Sequence, residues 1–488
     1  MNKPIRAMAI VCLGLFLALL MNSTYLQYIR ADELNSRNDN KRVRDAEFSR
    51  ERGAILVRGT SVAESVPVDD QFEFQRQYPQ PLKYSHLSGY YSYIYGRSAV
   101  ELTHNDILSG SDPRLFVNRV VDMFGNTQPK GGDVSLTIDP QAQTAAYDGL
   151  RALGGPDIKG SVVALDPSTG AILAMVSSPT YDPNELASHK LGEVSEAWKR
   201  LNAADDRPML NRGIQEVFPP GSTFKLVTAA AALESGQYTP ESMLPGGATL
   251  DLPQTDTNLP NDSGTDCGGS RVTLTQALRV SCNVAFGFLG MEIGDDALRE
   301  QAEKFGFGDT YLDDLPGQAE SRFPADPDEP QTALSAIGQF DVAATPLQMA
   351  MVTAGIANGG TVMKPYLVDE VRSPNLDVLD KANPEPYRNA VGSTTARDLT
   401  QMMIEVVDTG TGTTAQIPGI KVAGKTGTAQ SSADRNPYAW FVSFAPADDP
   451  QVAVAVLIED AGVARDAISG SGLAAPIAKR VMEAVIQR

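Results

Sequence analysis

Two strand-turn-strand patterns at the ends of segment 139–488 constrain the fold of this chain more than any other feature. The first covers residues 161–177 around an Asp-Pro-Ser-Thr-Gly turn and follows a helical stretch, 140–153, behind a capping Asp. The second covers 440–458, and helical spacing resumes at about 473–486. A sheet must bury its apolar face against another layer. We therefore expect one antiparallel sheet built from both ends of the segment, with the terminal helix packed on it.

The N-terminal segment has the pattern of a membrane anchor. Lys3 and Arg6 precede the unbroken apolar run 7–21, and the aromatic residues Tyr25 and Tyr28 follow it. Because no small-residue cleavage site comes soon after the apolar core, we predict an uncleaved signal anchor in the cytoplasmic membrane. Counted through residue 29, the segment reaches the ~20 residues that a span needs. The basic residues hold the N-terminus in the cytoplasm, so the rest of the chain is expected outside.

Length and charge limit the possible partners and the number of domains. With 488 residues and 42% hydrophobic content, the chain is expected to fold as two or three domains. A formal net charge of −19 would repel phosphate backbones, so no nucleic acid partner is expected. Residues 31–138 are charged and rich in tyrosine, without a cluster of titratable groups suited to chemistry. We interpret them as a spacer or docking module, with His86 and His104 as surface or packing residues.

Three cysteines allow one bridge in the exported part. Cys12 lies in the apolar N-terminal run, which leaves Cys267 and Cys282 as the possible pair. The sequence leaves open whether they are bonded or are two separate buried thiols. No metal is predicted, because the three histidines and these two cysteines lack ligand spacing.

The strongest candidate for chemistry is a serine followed by a lysine three residues later. Pro219 to Gly221 disfavour a helix, whereas the stretch from Ser222 onward favours one, so we expect a helix to begin at Ser222. Ser222 and Lys225 would then share a face, with the positive helix end near a developing oxyanion. As a base, Lys225 needs its pKa lowered by roughly three units from about 10.4, which costs about 4 kcal/mol. Burial and a second cation could supply this shift.

Two further clusters follow in the chain. Ser281, Cys282 and Asn283 come after a helical stretch at 274–280, and Lys425 to Thr428 come after an apolar stretch at 420–423. Each cluster alone is typical of a cap, a turn or a surface loop. Together and in this order, the three clusters predict a nucleophile with its base and its substrate-binding strand in one cleft.

With these three elements the sequence resembles the penicillin-binding proteins and serine β-lactamases, whose sites use SxxK, SxN and KTG. The segments that carry the resemblance are GSVVALDPSTGAILAMVSSPTYDPN, NRGIQEVFPPGSTFK, TPLQMAMVTAGIANGG and GKTGTAQ. They look like a class B penicillin-binding protein of the actinobacterial PbpA type. The pairs Arg52–Gly53 and Gly96–Glu101 resemble that family's N-terminal motifs, although the usual acidic and Asn-Gly continuation is absent. Phe340 stands where the family commonly has a small residue.

The resemblance covers the whole chain and implies an α+β fold in three parts. Residues 1–30 would form the cytoplasmic tip and transmembrane anchor, and 31–138 an elongated, non-catalytic pedestal similar to the family's dimerisation domain. Residues 139–488 would form the transpeptidase domain, an antiparallel sheet with helices on both sides. The implied activity is peptidoglycan D,D-transpeptidation through an acyl ester on Ser222, with release of D-alanine, without a cofactor, and with covalent inhibition by penicillin.

The resemblance also implies a role for each candidate residue. Ser222 attacks the penultimate D-alanyl carbonyl of a stem peptide, Lys225 accepts its proton, and Ser281 relays a proton to the leaving D-alanine. Asn283 holds Lys225 and the substrate amide. The remaining roles fall to the KTG element and the backbone: Lys425 supplies positive potential, Thr426 and Thr428 bind the terminal carboxylate, Gly427 admits the substrate, and the amides of Ser222 and Thr428 form the oxyanion hole.

The implied partners are peptidoglycan stem peptides, β-lactam antibiotics and the cytoplasmic membrane. A separate glycan polymerase, or another membrane partner of division or elongation, is also expected, because the predicted pedestal lacks an evident catalytic acidic pair.

The motifs also resemble those of other classes of protein. The stretch from Gly419 to Thr426 satisfies GxxxxGK[ST], but a phosphate loop opens a helix, whereas Gly427 and Pro437 follow here. A β-lactamase is disfavoured by the length, the pedestal and the lack of an identifiable base for water. A Ser-His-Asp hydrolase is disfavoured because His189 lies outside all three motifs.

Overall fold

A computed structural model describes residues 3–30, 34, 41–115, 130–430 and 436–487, so the predicted start of the pedestal at residue 31 lies outside the described residues. The helices are α1 (Lys3–Thr24), α2 (Lys41–Phe48), α3 (Pro81–Ser88), α4 (Ala99–Thr103), α5 (Asn105–Leu108), α6 (Pro140–Gly154), α7 (Asn184–Ala187), α8 (Leu191–Ala203), α9 (Lys225–Glu234), α10 (Leu274–Arg279), α11 (Asn283–Ile293), α12 (Asp295–Lys304), α13 (Glu329–Ser335), α14 (Pro346–Ala357), α15 (Ser393–Asp408) and α16 (Ala475–Ile486). The strands are β1 (Ile55–Val57), β2 (Thr60–Pro67), β3 (Phe74–Gln77), β4 (Tyr91–Ser92), β5 (Gly96–Arg97), β6 (Asp133–Leu136), β7 (Lys159–Leu165), β8 (Ile172–Ser178), β9 (Met243–Pro245), β10 (Thr249–Asp251), β11 (Asn258–Pro260), β12 (Arg271–Thr273), β13 (Thr361–Met363), β14 (Val368–Arg372), β15 (Val378–Lys381), β16 (Pro386–Asn389), β17 (Ala423–Ala429), β18 (Tyr438–Ala445) and β19 (Val452–Asp460).

The first helix fits a membrane span. Together with the π-helical turn Tyr25–Ile29 that continues it, α1 forms a 27-residue apolar helix from Lys3 to Ile29. None of its residues is buried against the rest of the chain. A helix of this length and composition is suited to a single membrane anchor.

A five-stranded antiparallel sheet forms the centre of the C-terminal segment that begins at Asp139. Its strand order is β17-β18-β19-β7-β8. The expected assembly from both ends of the segment is therefore correct. Alternate residues of β19 point to opposite faces, as a strand requires. Val454 and Val456 pack in the core with α6 and α16, whereas Ala455 and Leu457 pack in the core with α14. The sheet thus has helices on both sides.

The predicted cap of α6 is present. The Asp139 carboxylate accepts hydrogen bonds from the amides of Gln141 and Ala142, at 2.9 and 2.8 Å, and Pro140 occupies the first helical position. These features satisfy amides that have no partner within the helix, and proline fits where no amide is needed. The local sequence therefore defines where this helix begins.

A second sheet joins the N-terminal region to the C-terminal segment. Its order is β15-β14-β6-β1-β2-β3, so β14 and β15 from late in the chain extend a sheet begun by β1, β2 and β3. Beside it lies a buried ion cluster in which Glu101 accepts hydrogen bonds from Arg52 and Arg76, at 2.6 and 2.7 Å. Burial acts to raise the pKa of Glu101, but the two guanidinium groups hold it below its usual value.

The remaining residues singled out from the sequence include two histidines and Phe340. His86 is buried and its Nε2 lies 2.9 Å from the Pro208 carbonyl oxygen, and burial lowers its pKa to about 4. His189 pairs with Asp70. Phe340 lies in an exposed turn with φ 59°. His86 is thus a packing residue, as predicted.

Candidate active site

Ser222 lies in a tight turn that leads into a helix. The turn Gly221–Thr223 is 3₁₀-helical, and the α-helix α9 begins at Lys225 rather than at Ser222 as the sequence suggested. Thr223 donates its hydroxyl to the Pro220 carbonyl at 2.7 Å, which tightens this first turn. Gly221 has φ 52°, and a Cβ there would lie 2.9 Å from the Ala429 Cβ. A glycine is therefore required immediately before Ser222.

The turn that carries Ser222 packs directly on strand β17. A Cβ added to Gly427 would lie 3.0 Å from Thr223 Cγ2, 3.0 Å from Trp440 Cβ and 3.1 Å from the Pro220 carbonyl oxygen. Trp440 also donates its indole N–H to the Pro219 carbonyl at 2.9 Å. The sequence predicted that Gly427 admits the substrate. In the structure Gly427 lets the Ser222 turn pack on β17, and this contact sets the distance between SxxK and KTG.

Ser281 and Asn283 connect two helices. Ser281 follows α10 and has φ 61°, a left-handed conformation, and Asn283 opens α11. Between them, Cys282 forms a disulfide with Cys267, with 5.8 Å between the α carbons. The sequence left open whether Cys267 and Cys282 are bonded, and the structure shows that they are. This disulfide ties the SxN element to the segment that follows β11.

Lys225 is completely buried and points at the SxN element. Its Nζ donates to the Ser281 carbonyl at 2.7 Å and to Asn283 Oδ1 at 2.7 Å, and it lies 3.3 Å from Ser281 Oγ. Burial lowers the pKa of Lys225 to about 7, against the opposing effect of the Asp262 carboxylate. A large fraction of this amine is therefore neutral near neutral pH. Within the described residues, its hydrogen bonds go to Ser281 and Asn283, and none reaches Ser222.

Lys425 is the second buried amine. Its Nζ lies 2.9 Å from Ser281 Oγ and donates to the Thr426 carbonyl at 2.8 Å. Burial and the nearby charge of Lys225 both hold the pKa of Lys425 well below its usual value. The sequence predicted that Lys425 supplies positive potential, and this role remains a prediction. The structure places the Ser281 hydroxyl between two buried amines that cannot both be protonated without a large cost.

These elements border one open cleft of about 610 Å³. Of the predicted residues, Ser222, Ser281, Thr426 and Thr428 line it directly, while the side chains of Lys225 and Lys425 lie behind them. The other lining residues are Asn261, Asp262, Ser263, Thr265, Asp266, Cys267, Gly268, Gln276, Val280, Cys282, Thr411, Ser469, Gly470 and Ser471.

Sequence reasoning missed several of these lining residues. The Thr411 hydroxyl lies 2.6 Å from that of Thr426 and so orients a predicted substrate-binding group. Asn261 and Asp262 bond the SxN element from a loop that is distant in sequence. An Asn-Asp-Ser-Gly run reads as an ordinary turn. No signal in the sequence alone marked these residues as part of a site.

The structure contradicts the phosphate-loop hypothesis. Lys425 and Thr426 lie inside β17 and pair with Val442 and Phe441 of β18. A phosphate loop needs its Lys and Thr at the start of a helix, where backbone amides can surround the phosphates. The match to GxxxxGK[ST] is therefore coincidental.

Comparison with known proteins identifies the family. A family model for the penicillin-binding protein transpeptidase domain matches residues 160–483, and one for the dimerisation domain of penicillin-binding protein A matches residues 52–134. The chain belongs to the penicillin-binding proteins. The relatives include the peptidoglycan D,D-transpeptidase PbpA of Mycolicibacterium smegmatis, 44% identical over 100% of this chain and 99% of that protein. The PbpA of Mycobacterium tuberculosis is 43% identical over the same shares of the two chains.

Solved structures give the same result for the fold. The ceftriaxone acyl-enzyme complex of penicillin-binding protein A from M. tuberculosis superimposes with a TM-score of 0.87 at 43% identity, covering 91% of this chain and 100% of that one. Its penicillin G acyl-enzyme complex superimposes with a TM-score of 0.84 at 43% identity, covering 90% of this chain and 100% of that one. The predictions of a class B penicillin-binding protein of PbpA type, of its α+β fold and of a serine-type transpeptidase are confirmed.

Proposed function

We propose that this penicillin-binding protein cross-links peptidoglycan stem peptides through an acyl ester on Ser222, and that β-lactams block it by acylating the same hydroxyl. The observation that carries the proposal is the meeting of three distant segments in one cleft. Ser222 and Ser281 line this cleft with the KTG threonines, and two buried amines lie within 3.3 Å of Ser281 Oγ. The acyl-enzyme complexes of the M. tuberculosis relative support it.

Acylation requires a base for the Ser222 proton. Neutral Lys225 donates its two N–H groups to the backbone carbonyl of Ser281 and to Asn283 Oδ1. Its lone pair is then free to accept that proton. The Ser222 oxygen then bonds to the penultimate D-alanyl carbonyl carbon, and the bond from that carbon to the D-alanine nitrogen breaks. The leaving nitrogen takes a proton through Ser281 Oγ, which touches both amines.

The second half of the reaction repeats these steps, with an amine as the attacking group. The amine of a second stem peptide attacks the ester carbon, loses its proton to Lys225 and forms the cross-link. The Ser222 oxygen leaves the carbon and recovers a proton through the same groups. No net proton is gained or lost over the cycle, and no cofactor is needed.

Substrate binding follows from the position of β17 at the edge of the sheet. Thr426 and Thr428 present their side chains to the cleft, and hydroxyl groups there can bind the terminal carboxylate of the donor peptide. The backbone amides of Ser222 and Thr428 would stabilise the oxyanion; loss of one such donor typically costs about 10²- to 10³-fold in rate. Gly427 keeps these two amides close by letting the Ser222 turn pack on the strand.

We further propose that α1 crosses the cytoplasmic membrane once, with its N-terminus inside and the catalytic region outside. Lys3 and Arg6 at its N-terminal end support this orientation by the positive-inside rule. In this arrangement residues 31–138 form the pedestal and 139–488 the transpeptidase domain. The glycan strands that are cross-linked would come from a separate polymerase or another membrane partner in division or elongation.

Labelling with a fluorescent penicillin tests the proposal. The full chain in detergent is compared with Ser222→Ala and with Ser235→Ala, which removes an exposed hydroxyl at the far end of α9. We expect label on wild type and on Ser235→Ala, an ester on the peptide that contains Ser222, and no label on Ser222→Ala. Equal labelling of Ser222→Ala would refute the assignment of the nucleophile.

A further inference from the structure

Three consecutive residues outside the three motifs all bond to Asn283. The Pro260 carbonyl accepts from Asn283 Nδ2 at 3.1 Å, Asn261 Oδ1 accepts from the Asn283 backbone amide at 2.9 Å, and Asp262 Oδ1 accepts from Nδ2 at 3.2 Å. They lie at and just beyond the end of β11. The side chain that contacts Lys225 is thus held from behind by one short turn.

Asn261 acts as an external cap for helix α11. Its Oδ1 accepts from the amides of both Asn283 and Val284, the latter at 3.1 Å, and Cys282 at the helix N-cap position contributes no side-chain cap. The Asn261 Nδ2 donates to the carbonyls of Gly247 and Thr265, at 2.9 and 2.8 Å. Asn261 is itself buried at the edge of the cleft. Asn261 therefore ties the start of α11 to two loops at once.

Asp262 determines which way the Asn283 amide faces. Both N–H groups of Asn283 are used by Pro260 and Asp262, so its Oδ1 must face Lys225, where it accepts at 2.7 Å. The reverse orientation would place amide N–H groups against the N–H groups of Lys225 and the amide oxygen against two other oxygens. The Asp262 carboxylate, together with the Pro260 carbonyl, therefore selects the orientation that orders the amine.

We propose that Asn261 and Asp262 are positioning residues of the transpeptidase: Asn261 fixes the place of the SxN element, and Asp262 fixes the orientation of Asn283 and thereby of Lys225. The inference rests on the proposed function, because it assigns Lys225 the role of base. Neither residue touches the reacting atoms in this arrangement. The hydrogen bonds of both residues act through Asn283.

The charge of Asp262 gives a second consequence. Its carboxylate acts to raise the pKa of Lys225 and of Lys425, against their burial. Among the described residues, Lys425 on β17 and Asp262 are the titratable groups that face Lys225, and the uncharged ring of Phe286 lies 5.6 Å from its Nζ. Removal of the Asp262 charge should therefore make Lys225 easier to deprotonate. The rise of the acylation rate on the acid side of its pH profile (the acid limb) should therefore occur at lower pH.

The test measures the second-order rate constant of acylation by fluorescent penicillin, from pH 5 to 9, on the full chain in detergent. Asp262→Asn keeps an oxygen acceptor and removes the charge, so we expect its acid limb to shift by about 0.5 pH unit toward acid. It should react faster than wild type at the acid end. Asp262→Ala removes both features and should be slower at every pH, by about tenfold or more.

Variants of Asn261 test the cap. Asn261→Ala should slow acylation by about tenfold or more, and Asn261→Asp, which keeps the two accepted hydrogen bonds, should recover part of the rate. As a control, Asp256→Asn removes an exposed charge from the β10–β11 hairpin that precedes Asn261. It should match wild type in acylation rate and in the pH profile of that rate.

The outcomes separate this inference from the proposed function. If Asn261→Ala does not fold, the pH profile of Asp262→Asn still decides. An unshifted acid limb for Asp262→Asn together with a wild-type rate for Asp262→Ala would overturn the inference while Ser222→Ala stays unlabelled. Labelling of Ser222→Ala would instead overturn the function itself.

Discussion

Replacement of Gly427 by alanine should show how the position of the Ser222 turn affects the acylation rate, separately from the stability of the sheet. The new methyl group would point at the Ser222 turn, 3.0 Å from Thr223 Cγ2 and 3.1 Å from the Pro220 carbonyl oxygen. Carbon atoms pack at about 3.5 to 4.0 Å. The turn must therefore move away from β17 by a few tenths of an ångström.

The movement should be costly for catalysis and moderate for folding. Ser222 and the amides of the proposed oxyanion hole lie on the two surfaces that are pushed apart, and a misplacement of about 1 Å costs about 10²-fold in rate. Overpacking of a well-packed site costs about 1 to 3 kcal/mol in stability. Because the shift is a few tenths of an ångström, we expect Gly427→Ala to fold, with a lower unfolding temperature, and to be acylated about tenfold more slowly.

A matched control lies three residues earlier on the same strand. A Cβ at Gly424 would lie 2.8 Å from Phe441 Cζ and 3.1 Å from Val407 Cγ2, so Gly424→Ala overpacks β17 without contacting the Ser222 turn. Stopped-flow acylation by penicillin, corrected for the folded fraction, should give Gly424→Ala a rate within about threefold of wild type. The reasoning fails if Gly427→Ala reacts at the wild-type rate, or if both variants lose rate equally.

Two further predictions concern titration and folding. The acylation rate should rise with pH through the pKa of Lys225, about 7, because only the neutral amine can accept the Ser222 proton; a rate independent of pH between 5 and 9 would contradict this. Glu101→Gln leaves the buried Arg76 guanidinium without its carboxylate and, among the described residues, leaves Arg52 only its longer carboxylate contact, with Glu47. It should lower the free energy of unfolding by about 3 to 5 kcal/mol, measured by urea titration. Glu51→Gln, at an exposed ion pair, should change that free energy by less than about 1 kcal/mol.

The parts of the fold that were predictable are those fixed by local chemistry. Asp139 marks the start of α6 through its own hydrogen bonds, and apolar strands with short turns predict the central sheet. The order of the three motifs predicts a shared cleft, although not which atoms meet in it. The addition of β14 and β15 to the N-terminal sheet was not predictable, since it depends on pairing between segments more than 200 residues apart in sequence. The role of Asn261 was hidden for another reason: its Asn-Asp-Ser-Gly run has the composition of an ordinary turn, and only the fold brings its side chain to the start of α11.

The lysine pair shows why the chemistry depends on tertiary structure more than on motif. In sequence, Lys225 and Lys425 are two cations that ought to repel each other. In the fold both amines are buried and share the Ser281 hydroxyl, so burial itself favours removal of a proton from the pair. The Asp262 carboxylate acts in the opposite direction and raises the pKa of both amines. A pair poised in this way can take a proton from Ser222 and return it to the leaving amine, as the proposed cycle requires.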